Sequence, residues 1–159
     1  MPIMTEQLAA RAIELMSPTI LAAFDTRVAN KACFSITIGV ARSDGSYEPL
    51  FVKNFNEGDW GGRPYDQIAH SKAMLSARTG MSSREVQLMH PNLLEEQDVM
   101  YWGSAISDGI IVAGSGVQPW IDEAISIATL AFCNGLVNDW VETRRTVPKI
   151  DDGFHYNDV

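Results

Sequence analysis

Two strand-like stretches, the first strictly alternating and each followed or interrupted by an Asp-Gly pair, constrain this chain more than any other feature. In the first, Phe34, Ile36, Ile38 and Val40 share one face and Ser35, Thr37, Gly39 and Ala41 the other. That period of two is the signature of a strand. Asp44-Gly45 follows, and a return strand is expected over 47–55. In the second, strands are expected over 100–107 and 110–117, on either side of Asp108-Gly109. Asp-Gly marks a hairpin because glycine takes the positive φ that a tight turn demands. Hairpins join neighbouring antiparallel strands, so a purely parallel sheet is excluded. Pro49 has no N–H to give a ladder, which favours an edge position or a strand start for the return strand.

Helices fill the space between the hairpins. Leu8, Ile13, Leu15, Met16, Ile20 and Leu21 recur at helical spacing and predict a helix over 5–27. Pro18 inside it is expected to kink it, or to split it with Ser17 as the second cap. A helix over 65–79 ends at Gly80, a left-handed cap, and carries Ala69, Ala73 and Ala77 as a stripe of small residues. Ser82 and Glu85 form an S-x-x-E box that starts a short helix stopping before Pro91. A last helix over 119–143 presents a broad apolar surface. The order helix, hairpin, helix with short helix, hairpin, helix defines an α+β domain: an antiparallel sheet built from two hairpins and flanked by helices. One domain is read over 1–145, with a polar acidic tail over 146–159.

Composition narrows the function classes. At 159 residues and 46% hydrophobic, the chain can bury roughly 70% of its unfolded surface without a metal or disulfide. Twelve Lys and Arg against 20 Asp and Glu give a net charge of −8. Such a surface repels phosphate backbones and anionic membranes at long range but leaves room for a local basic pocket. Cys33 and Cys133 are too few for a disulfide framework and read as small buried hydrophobes in a reducing compartment. No Cys/His group has zinc spacing. No basic region followed by an apolar core opens the sequence, and the apolar runs read as too interrupted for a membrane span. A cytoplasmic protein is expected, with no nucleic-acid or membrane partner.

The chemistry-bearing residues concentrate between 56 and 72. The loop NEGDWGGRP combines glycines with Glu57, Asp59, Trp60 and Arg63, and Tyr65, His70 and Lys72 follow on the next helix. Arginine grips carboxylates in a bidentate fork, histidine titrates near neutrality, and the aromatics offer a wall. Residues two apart on a helix diverge by about 200°, so His70 and Lys72 are not expected to pair. Lys72 reads either as a lysine with a packed stem or as a desolvated amine able to hold a carboxylate or form a Schiff base. His90 reads as a helix C-terminal charge and His155 as a solvated tail residue. Gly114 and Gly116 read mainly as turn and close-packing positions, with Ser115 and Gly116 as secondary carboxylate contacts.

Four features together resemble the small GlcG/HbpS-like proteins, a group of glycolate-operon proteins, secreted heme-binding proteins and C-terminal domains of propanediol-utilisation adenosyltransferases. They are the Ala-rich first helix leading into 34–41 and an Asp-Gly turn; Lys72-Ala73 within an Ala-rich helix; the strand–Asp-Gly–strand unit ending in Gly114-Ser115-Gly116-Val117; and Asp122 in the first turn of the last helix. The resemblance spans about 8–131. It implies an α+β sandwich, homo-oligomeric assembly and, in some members, heme. The chain departs from the pattern in its second strand and loop, YEPLFVKNFNEGDWGGRP, and in its tail.

Two functions are carried forward. The first is a cofactor-free enzyme on a small unsaturated, amino- or aromatic-derived carboxylate, with deaminase, tautomerase or decarboxylase chemistry. In that reading His70 and Lys72 are catalytic, and Arg63, Trp60, Asp59, Glu57, Tyr65, Ser115 and Gly116 bind the substrate. The alternative, implied by the resemblance, is a heme- or tetrapyrrole-binding protein or a non-catalytic oligomeric accessory protein. The expected partners are a small anionic molecule and further copies of the chain.

Overall fold

The computed structural model describes residues 4–25 and 32–144; the acidic stretch 146–159, read above as a tail, lies outside the described residues. The first helix, α1 (Glu6–Phe24), is capped by Thr5, whose hydroxyl accepts the Leu8 N–H at 3.2 Å. Pro18 neither splits nor ends it. The carbonyl that loses a partner to Pro18 belongs to Glu14, and both residues face solvent, where water can take the bond. Ser17, instead of capping a second helix, donates its hydroxyl to the Ile13 carbonyl at 2.7 Å.

Both hairpins form. β1 (Phe34–Ala41) pairs with β2 (Tyr47–Phe55), and β3 (Ser104–Ser107) pairs with β4 (Ile110–Ser115). β1 and β4 join them into one antiparallel sheet of order β2-β1-β4-β3. Asp108 and Gly109 both have positive φ, 51° and 79°, the requirement of a two-residue type I′ turn. β2 is an edge strand, and its register slips between Ile38 and Gly39, so that Pro49 faces Gly39 across a bulge. A residue without an N–H is tolerated there because no unbroken ladder needs it.

The sheet is covered on both faces. On one, Phe34, Ile36, Ile38 and Val112 pack against Ala9, Ile13 and Ile20 of α1 and Ile125, Leu130 and Cys133 of α4 (Pro119–Glu142). The other carries small and polar side chains, yet nearly all of β1 is buried. Helix α2 (Tyr65–Thr79) lies on that side, and Ala73 and Ala77 meet Tyr47, Ile111 and Ala113. Alanine is short enough to bring the helix backbone close to the sheet. The polar atom left beneath is satisfied: the Thr37 hydroxyl and the Tyr47 phenol share a 2.7 Å hydrogen bond.

Around this frame, α3 (Ser83–Met89) starts at Ser82, whose hydroxyl accepts the Glu85 N–H at 3.2 Å. Short 3-10 turns at Glu57–Asp59 and Pro91–Leu93 interrupt what the sequence presents as plain loop. β3 begins four residues later than expected. The preceding Gly103 turns aside at φ 144° and gives its N–H to the Ser83 hydroxyl at 3.1 Å. Arg78 of α2 secures the stretch before it, reaching Asp98 at 2.6 Å and the Leu93 carbonyl at 3.2 Å. Contrary to the interrupted apolar runs read from the sequence, α4 has the length and apolar composition of a membrane span. One face of it packs on the sheet through Ile125, Leu130 and Cys133, and two acidic residues, Asp122 and Glu123, are buried near its start.

Candidate functional site

The site grows from one side chain. Lys72 sits on the face of α2 that turns toward the sheet, and it is fully buried. Its Nζ donates to the Gly114 carbonyl at 2.8 Å and to Asp122 Oδ2 at 3.3 Å. Asp122 is itself buried, and its Oδ1 accepts the Val117 N–H at 3.0 Å. The carboxylate therefore fastens the turn between β4 and α4 as well as the lysine. Glycine makes the approach possible. A Cβ on Gly103 would run into the Gly114 carbonyl oxygen and would lie 2.6 Å from Lys72 Nζ. Gly116, at φ 137°, lies against the Cys33 backbone in the same way. The close-packing role expected for Gly114 and Gly116 is thus met, with Phe34 pressing on Gly114.

Burial sets the electrostatics. It pushes the Lys72 amine below its ordinary 10.5, against the pull of Asp122. It also raises Asp122 above 3.8, against Lys72 and the Val117 N–H. Between its lowered value and 10.5, Lys72 holds fewer protons in the folded chain than in the unfolded one. Its contribution to stability therefore rises with pH across that window. Asp122 acts in the opposite sense on the acid side, where its contribution falls as pH rises above 3.8. The expected result is that urea midpoints of the wild type gain on those of Lys72→Met as pH approaches 10.5. A difference that stays flat or shrinks would contradict this sign.

Lys72 and Asp122 line a cavity of about 370 Å³ between α2 and the start of α4. That is near the lower end of the roughly 300–1,000 Å³ range of small-molecule pockets. Arg63, Tyr65, Tyr101, Ser115 and Gly116 also line it. Arg63 is exposed, and its Nη1 donates to the Tyr65 phenol oxygen at 3.3 Å. Of the residues predicted from sequence, the structure brings Arg63, Tyr65, Lys72, Ser115 and Gly116 to one cavity. Asp59 and Trp60 line a neighbouring hollow with Cys33, sharing Arg63 and Tyr65 with the first. Trp60 packs edge-on to Tyr65 at 5.3 Å and donates its indole N–H to the Phe55 carbonyl at 2.9 Å, so it braces the wall. Glu57 lies exposed on the 3-10 turn.

His70 departs from the expectation that joined it to Arg63. It is absent from the residues lining the Lys72 cavity and faces two other hollows, where it packs against Tyr47 at 5.3 Å between ring centres. The physical reason is helical divergence: with Lys72 turned toward the sheet, a residue two positions earlier points elsewhere. Sequence reasoning assigns no site role to Asp122 or Tyr101, which also line the cavity. Asp122 is visible there only as a first-turn acid and Tyr101 only as part of an expected strand. Among the described residues no group of three or more His, Cys, Asp or Glu is arranged to hold a metal ion.

Fold and site together define a helix–sheet–helix α+β domain with a buried lysine–aspartate pair lining a cavity of about 370 Å³. Among solved structures the chain is similar to the Klebsiella pneumoniae protein ORFY, of the DUF336 family. The TM-score is 0.54 at 15% identity, over 80% of this chain and 86% of that one. A PduOC:heme complex matches with a TM-score of 0.49 at 15% identity, over 79% and 88%. No family model matches the sequence, and no curated protein does. The GlcG/HbpS-like resemblance read from Lys72, Asp108-Gly109 and Asp122 therefore holds for the fold.

Proposed function

We propose that the chain binds a small molecule bearing a carboxylate in the Lys72 cavity. One observation carries the reading: in a chain of net charge −8, the charged side chains lining this cavity are Arg63, Lys72 and Asp122. Asp122 offsets Lys72, and Arg63 at the mouth remains to attract one anionic group. The cavity wall is otherwise largely aromatic and aliphatic, the usual setting for a few orienting polar groups. His70, one of the groups assigned to move protons, lies elsewhere, which leaves the enzyme reading with Lys72 and a nearby carboxylate. Any acid–base chemistry at this cavity falls to Lys72 and Asp122. Deamination, tautomerisation or decarboxylation has no further support, so binding leads and catalysis follows from it.

The test is a panel of small carboxylic acids followed by melting temperature and calorimetry. A binder is expected, and Arg63→Ala should weaken it by about ten- to a hundredfold, the worth of a charge-assisted hydrogen bond. Equal affinity in Arg63→Ala would remove Arg63 from the site.

A second reading keeps heme, the ligand implied by the resemblance. Its specific support is that the cavity wall offers two phenol oxygens, Tyr65 and Tyr101, and tyrosine is one of the side chains that can hold heme iron. The residues lining this cavity include no His, Met or Cys, so Tyr65 or Tyr101 would hold the iron and Arg63 a propionate. Titration with hemin should then give a saturable Soret band that Tyr65→Phe or Tyr101→Phe abolishes. A nonspecific, unsaturating response would set heme aside. An accessory protein without a ligand predicts no stabilisation by either class.

A further inference from the structure

The lysine at the floor of the cavity is placed for more than charge balance. An ammonium has three N–H groups. At Lys72 two are engaged, by the Gly114 carbonyl and by Asp122. The third has no protein partner among the described residues, and the side chain, although without solvent exposure, belongs to the cavity lining, so a ligand would meet it only at the innermost point of the cavity. Its ionic partner is a carboxyl group also in the lining, 3.3 Å away, close enough to exchange a proton.

We infer that Lys72 is a carbonyl-reactive amine that condenses with the aldehyde or ketone group of an oxo acid, with Asp122 as the proton carrier. This rests on the carboxylate reading above, since Arg63 would hold the acid end of the same ligand. The step balances without an oxidant or reductant. Asp122 takes one proton from the Lys72 ammonium, and the freed lone pair forms a bond to the carbonyl carbon. The oxygen of the carbinolamine then receives that proton back from Asp122 and leaves as water. The product is a protonated imine on Nζ, and Asp122 is again a carboxylate. Burial favours the first transfer, because it disfavours both charged forms of the pair.

The experiment is reductive trapping of the wild-type protein with cyanoborohydride in the presence of glyoxylate, pyruvate or succinic semialdehyde, followed by peptide mapping. The three probes vary the distance between carbonyl and carboxylate. Lys53, which is exposed, is the internal control. Labelling of Lys72 above Lys53 by at least about tenfold is expected for one probe, the enhancement of a positioned reaction over a random one. Lys72→Arg keeps the charge and should abolish the adduct. Propionate, which lacks the carbonyl, should compete with it. Labelling confined to Lys53, or none, overturns the inference. If Lys72 takes no label while acids without a carbonyl bind and Arg63→Ala weakens them, the carboxylate reading stands and this one falls. If no acid binds at all, both fall.

Discussion

Lys72→Met should destabilise the protein by about 3–5 kcal/mol, the usual consequence of removing one partner from a buried ion pair. The reason is what remains. Asp122 would stay buried with only backbone N–H groups against it, and the Gly114 carbonyl would lose its 2.8 Å donor. Methionine matches the stem of lysine well enough that packing contributes little to the loss. Urea denaturation measures the effect directly. The double variant Lys72→Met/Asp122→Asn should lose clearly less than the two single losses added together, because it leaves no unpaired charge behind. Additive losses would mean that the two side chains do not act as a pair and that the cavity floor is not held by their attraction.

Gly103→Ala is expected to be at least as severe, about 4–5 kcal/mol or failure to fold. Its φ of 144° is one that side chains rarely adopt, and the added methyl would meet backbone, the Gly114 carbonyl, before it reached Lys72 Nζ at 2.6 Å. A lysine tip can move; a carbonyl in the middle of a sheet cannot without shifting the strand. Gly109→Ala supplies the comparison. Gly109 also has positive φ, 79°, but a methyl there meets nothing within 4 Å. That substitution should cost only about 1–2 kcal/mol, the penalty of a left-handed conformation. Equal losses at the two positions would show that backbone conformation alone, and not the close approach to Gly114 and Lys72, makes Gly103 necessary.

Much of this architecture is legible without coordinates. Alternation over 34–41 becomes β1 with the same limits, and Asp108-Gly109 becomes the expected turn. Gly80 ends α2 in the left-handed conformation, and Ser82 caps α3. Pro18 does not split α1 as one of the two expected outcomes had it, because a proline's effect depends on whether the orphaned carbonyl can reach water, which sequence does not state. The strand expected from residue 100 is shortened to Ser104 because Gly103 is held by Ser83, a residue from another element.

The candidate site divides along the same line. Turn chemistry, caps and periodicity act over a few residues, so the sequence alone determined which elements exist, where most of them end and that the sheet is antiparallel. It also pointed to Arg63, Tyr65 and Lys72 as chemistry-bearing residues. Only the tertiary structure decided what they do together. Lys72 and Asp122 are 50 residues apart, and they meet because α2 lies on one face of the sheet while the start of α4 turns back toward it at the end of β4. The same rotation of α2 that buries Lys72 sends His70 to Tyr47. Which face of a helix meets the sheet is set by the sum of its packing contacts, and that sum exists only once the chain has folded.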